Sequence, residues 1–163
     1  MRVVSNTSPL SNLAIIHRLD LVREAFGEVI VPPAVEVELS RLPHPAACHR
    51  LLIARQEGWL RVEPLAGNVP ADFANELDAG EAEALALAMQ SKARLVLLDE
   101  TAARVKARQL GLPHTGVLGL LRHARQSARI PSLKNEMIRL RLEARFFIHP
   151  ALERSLLASV GET

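Results

Sequence analysis

Apolar positions along this chain follow two alternating patterns. Val3-Val4, Val29-Ile30-Val31, Trp59–Glu63 and Leu95–Leu98 are runs too short for helices, and the last is apolar throughout, as a strand buried on both faces would be. Between them lie longer stretches with helical spacing. Ser8–Ile16 and Leu19–Ala25 read as helices, with Gly27 ending the second. Residues 33–42 place Val35, Leu39 and Leu42 at i, i+4 and i+7, a core-facing stripe. Pro43 and Pro45 interrupt it before a helix over about 46–57 that ends at Gly58. Gly67 and Pro70 mark a loop, and Gly80 precedes Glu81–Ala88, a run of strong helix formers. Residues 101–110 form a helix ended by Gly111, and Pro113-His114-Thr115 has room only for a short strand. Residues 116–126, 131–143 and 150–159 complete the helical set. Such alternation predicts an α/β fold: a parallel sheet with helices on both faces.

In open α/β sheets ligands bind at the carboxyl ends of the strands, so the polar residues there carry the candidate chemistry. Asn6, Thr7 and Ser8 follow the first strand, with Pro9 in the first turn of the next helix. Asp99 ends the most apolar strand, Glu38 flanks the stripe on the helix after Pro33, and Glu81 opens the helix after Gly80. Gathered carboxylates repel one another and are stable mainly when cations neutralise them. Oxygen-only ligation selects hard ions such as Mg²⁺ or Mn²⁺, which can activate water for in-line phosphodiester displacement. Glu36 and Glu83 are rival acids, and Glu100 is either a helix-start acid or a supporting group. Spacing alone does not separate this set from ordinary helix-surface carboxylates.

Length and composition narrow the class. With 163 residues, 48% of them hydrophobic, the chain suits one domain over 1–163 with a real core. It holds no long apolar span for a membrane and no secretory leader, so a cytoplasmic location is expected. Cys48 is the single cysteine, which excludes an internal disulfide and a cysteine-rich zinc site, and the histidines lack paired metal-binding spacing. The net charge of +2 conceals an asymmetry: residues 1–100 carry 9 basic and 14 acidic side chains, residues 101–163 carry 11 and 4. An acidic site beside a basic, phosphate-attracting surface is compatible with that division. Aromatics are only 3% of the chain, which argues against base-stacking platforms and leaves Arg104, Lys106 and Arg108 as candidates for RNA contact. The C-terminal segment, with Phe146, Phe147, Ile148, Leu152, Leu156 and Leu157, holds apolar surface that a second subunit or a partner could cover.

Four segments together resemble the PIN-domain family: Val3–Leu10, Pro33–Leu39, Leu77–Ala88 and Leu95–Glu100, in that order. Thr115–Leu121 and the tail from Phe146 to Glu162 are similar to its prokaryotic toxin-like, VapC-related branch, so the resemblance covers nearly the whole chain. It implies a three-layer α/β/α sandwich around a central parallel sheet and metal-dependent cleavage of RNA. It places the family's four acidic positions on Asn6, Glu38, Glu81 and Asp99, with Thr7 and Ser8 as the hydroxyl residues beside the first. It also implies Mg²⁺ or Mn²⁺ as cofactor and a cognate antitoxin protein as partner. Asn6 departs from the family's usual aspartate, and a neutral amide is a weaker ligand for a hard cation. A catalytically weakened module that binds RNA or a protein without cutting is the alternative that this residue leaves open.

Overall fold

The computed structural model describes residues 2–163. Five short strands, β1 (Val3–Ser5), β2 (Val29–Val31), β3 (Leu60–Val62), β4 (Leu95–Leu97) and β5 (His114–Thr115), form one sheet in the order β3-β2-β1-β4-β5. Every pairing is parallel, and Val4 at the centre is flanked by Ile30 on one side and Val96 on the other. The helices are α1 (Thr7–Ile15), α2 (Asp20–Phe26), α3 (Pro33–Ser40), α4 (Pro45–Gln56), α5 (Phe73–Glu76), α6 (Ala79–Gln90), α7 (Thr101–Gln109), α8 (Val117–Gln126), α9 (Leu133–Ala144) and α10 (Pro150–Ser159). Together they make a three-layer α/β/α sandwich. Val3, Val4 and Ser5 are all fully buried, which requires cover on both faces of β1.

The sheet is narrow, and its strands alone bury little. The core is completed by helices that are apolar over much of their circumference. In α6, Ala84, Leu85, Ala86, Leu87 and Ala88 are all buried, consecutive residues that point in different directions around the axis. The small alanines let α6 lie close to α3 and to the central strands. Among the described residues, no helix is long and apolar enough to cross a membrane.

The expected elements recur with ends displaced by one or two residues. Two differences have physical reasons. Pro45 does not interrupt a helix but opens α4, at a position where its missing N–H is not needed, while His44 Nδ1 accepts from Ala47 N at 3.0 Å as the cap. The loop after Gly67 contains α5, a single turn too short to show periodicity. It is fixed by tertiary contacts instead. Phe73 is buried, Lys106 stands 5.3 Å over its ring, and the same ammonium pairs with Asp72 at 2.8 Å and Glu76 at 3.2 Å. The carboxylate hydrogen bonds raise the Lys106 pKa, that of Asp72 foremost.

Candidate functional site

Parallel strands end at the same edge, so the segments that follow β1, β2 and β4 bring their polar residues together there. Asn6 is the N-cap of α1 by backbone position, yet its side chain makes no capping hydrogen bond. Its main chain is locked: Asn6 N donates to Leu97 O at 3.0 Å, and its carbonyl accepts from Ser5 Oγ at 2.8 Å. The side-chain Oδ1 is completely buried and has no donor. A buried acceptor left without a partner costs about 1–3 kcal/mol, so such an atom calls for an explanation.

The first turns of α1 reach three acids on other elements. Thr7 Oγ1 donates to Glu38 Oε2 of α3. Ser8 Oγ donates to Glu100 Oε1 at 3.0 Å, and Asn12 Nδ2 stands 3.3 Å from Asp99 Oδ2. Ser8 and Asn12 are four residues apart and share a helix face, so one rigid element orients two neighbouring carboxylates.

Glu38 and Asp99 each also depend on a glycine. A Cβ at Gly80 would lie 2.6 Å from Glu38 Oε1, and one at Gly116 would lie 2.5 Å from Asp99 Oδ1. Asp99 Oδ1 accepts from Val117 N at 2.8 Å, at the start of α8. Burial pushes the Asp99 pKa up, and the Val117 amide and Asn12 oppose the rise without cancelling it. The charge of Glu100 adds to it, and that of Arg104 works against it.

Glu81 is buried and takes part in a reciprocal cap: its N–H donates to Asp78 Oδ1 at 2.8 Å, and its Oε1 accepts from Asp78 N at 3.0 Å. Burial raises its pKa, and the negative charges of Asp78 and Glu100 add to the rise. The rival acids have other occupations. Glu83 Oε1 accepts from Ala34 N at 3.1 Å and ties α6 to the start of α3, while Glu36 pairs with Arg55 at 2.6 Å.

Among the described residues, no group of three or more His, Cys, Asp and Glu side chains is arranged to hold an ion by itself. Charged ligands alone therefore make no ready cage here. The buried Oδ1 of Asn6 is an amide oxygen lacking a donor, and so has a lone pair that a cation could satisfy. The whole donor set at this edge is oxygen, and its buried carboxylates gain most from a nearby positive charge. In chemistry the set fits a hard divalent ion.

Sequence reasoning passed over Asn12, Gly80 and Gly116 as parts of this site. Asn12 carries a readable signal, an amide among Pro9, Leu10, Ser11, Leu13 and Ala14, the buried residues of α1. The glycines carry none, because their role lies in what packs against them. Of the cations expected to meet RNA, Lys106 is buried against Asp72 and Glu76, whereas Arg104 and Arg108 are exposed.

Comparison with curated proteins finds no match to the chain. A family model described as a PIN domain matches residues 2–162, which is nearly every residue of the sheet, the helices and the acidic edge just described. The chain belongs to the PIN-domain family, whose fold is of the nuclease type.

Proposed function

We propose that this chain is a divalent-metal-dependent endoribonuclease acting at the acidic edge of its sheet. The observation that carries this reading is the buried, donorless Oδ1 of Asn6 at the start of α1, the helix whose Thr7 and Asn12 hold Glu38 and Asp99. Asn6, Glu38, Glu81 and Asp99 would hold Mg²⁺ or Mn²⁺. Such an ion supplies charge neutralisation at the phosphoryl oxygens and a more acidic water. Thr7 and Asn12 keep Glu38 and Asp99 from swinging into solvent. Glu100, exposed and tethered by Ser8, would take a proton from an attacking water. The motif order shared with toxin-like members supports a role as the toxin of a toxin–antitoxin pair, with a cognate antitoxin as partner.

The test is cleavage of a mixed RNA substrate with Mg²⁺, Mn²⁺ or EDTA. The natural protein should cut with either ion, Mn²⁺ preferred, and fail in EDTA, and Asp99→Asn should be inactive while keeping its fold. Cleavage that persists in EDTA, or in Asp99→Asn, would overturn the site.

A second reading is favoured by the neutral amide at Asn6, which lowers the charge available to a cation. In it the fold binds RNA or a protein partner without cutting. RNA binding by the natural protein, with no cleavage under any ion, would select this reading.

A further inference from the structure

Asp99 also borders a cavity of about 170 Å³ that the cleavage reading leaves unused. Arg104 and Thr115 contribute its polar wall, and Phe146, Leu152 and Leu156 its apolar wall. The apolar wall is built deliberately by the backbone. Arg145 adopts a left-handed conformation with φ 54° that ends α9, and Phe146 N donates back to Leu140 O at 3.0 Å. His149 Nδ1 then accepts from Ala151 N at 3.1 Å and starts α10, which presents Leu152 and Leu156 one turn apart. The half-buried Phe146 ring is thereby fixed beside the acidic edge although it lies far from it in sequence.

We infer that this cavity receives one unpaired nucleobase of the RNA strand, stacked on Phe146, with Arg104 on an adjoining phosphate. The inference rests on the ribonuclease reading and adds a subsite to it. A base presents a flat apolar face and a polar rim, and the cavity offers one wall for each. An aliphatic side chain of a protein partner would fill the leucine wall but leave Arg104 and Thr115 unanswered. Arg104 and Asp99 line the same cavity, so an occupant that engages Arg104 is held next to the acidic edge. Single-stranded RNA is commonly recognised by stacking splayed bases on aromatic rings beside arginines.

The test measures binding in EDTA, so that cleavage plays no part. Fluorescence anisotropy would follow a short single-stranded RNA and the same RNA with one abasic position, against the natural protein, Phe146→Leu, Phe146→Trp and Leu152→Trp. Phe146→Leu keeps an apolar side chain but loses the ring and should weaken binding of intact RNA about 5- to 150-fold. Phe146→Trp should retain it. Leu152→Trp, which fills the cavity from an exposed position, should weaken it as Phe146→Leu does. The abasic position should cost affinity in the natural protein and nothing further in Phe146→Leu. Equal binding by the natural protein and Phe146→Leu, an abasic penalty unchanged by that substitution, or no RNA binding at all would overturn the base pocket. These binding differences without cleavage under Mg²⁺ or Mn²⁺ would retain the pocket and remove the nuclease. Cleavage with unaltered binding in both Phe146→Leu and Leu152→Trp would do the reverse.

Discussion

Glu38 occupies the space that Gly80 leaves empty: a methyl group on that glycine would fall 2.6 Å from Oε1 of the carboxylate. The two residues sit on packed helices, α3 and α6, and the missing side chain of one sets the position of the other. What would be struck is the far end of a flexible side chain, which can move aside only by giving up its bond from Thr7. Gly80→Ala, in the first turn of α6, should therefore change the thermal midpoint little, the lost bond offsetting the higher helix propensity of alanine. Cleavage should nevertheless fall tenfold or more as Glu38 is displaced. Calorimetry and an RNA cleavage assay on one preparation check both halves.

Asn6→Asp separates the two functional readings. A charged oxygen in place of the donorless Oδ1 should tighten Mn²⁺ binding and raise cleavage at least tenfold, about 1.4 kcal/mol of barrier. Without an ion, the same substitution should lower stability, because a buried carboxylate joins Asp99 and Glu81. Melting curves with and without Mn²⁺ would show the crossing. A variant that is stabilised in EDTA would contradict the role given to Asn6.

Arg104 and Lys106 should part company in RNA binding. Arg104→Ala should weaken it and reduce the dependence of log K on log salt by about 0.7–0.9, the loss of one phosphate contact. Lys106→Ala should leave both unchanged. It should instead speed hydrogen exchange at Phe73–Glu76, the turn that its ammonium clamps. Salt titrations and exchange mass spectrometry supply the two measurements.

Glu162 gives the fold a pH-dependent latch. Burial would raise its pKa, but the Leu133 and Lys134 amides, the Ser132 hydroxyl and the Arg125 guanidinium together hold it below the ordinary value. A carboxylate with a lowered folded pKa contributes stability that is complete above its unfolded pKa, near 4.3, and is lost as pH falls through the folded value. Glu162→Gln should cost about 1–2 kcal/mol at neutral pH. The difference from the natural protein should shrink below about pH 4. Urea titrations at several pH values check the sign.

Much of the fold was legible because its periodicities are unmixed. Leu95–Leu97 is apolar at every position, and α3 repeats its stripe at helical spacing. Asp99 and Glu81 were legible as strand-end and helix-start acids, and Glu38 as an acid flanking the α3 stripe. Their attachments were not. Thr7 to Glu38, Ser8 to Glu100 and Asn12 to Asp99 span 31, 92 and 87 residues, and no local pattern encodes such pairings. Composition bears on the proposed base pocket too: the low aromatic content argues against stacking platforms, so that pocket rests on one ring, Phe146, which the left-handed turn at Arg145 sets beside Asp99.

Strand order also governs when the molecule comes into being. β1 is made first but lies in the middle, and Val3, Val4 and Ser5 pair with Leu95, Val96 and Leu97. A nascent chain emerging from the ribosome carries Asn6, Thr7 and Ser8 long before β4 exists to anchor Asn6 N or Asp99 exists to meet Asn12. The first half therefore stays incomplete until the second has been made, and the long-range pairing then has to bear the entropy of closing that loop. Any activity at this edge is withheld until synthesis has passed the fourth strand, and a prematurely terminated chain would be released without it.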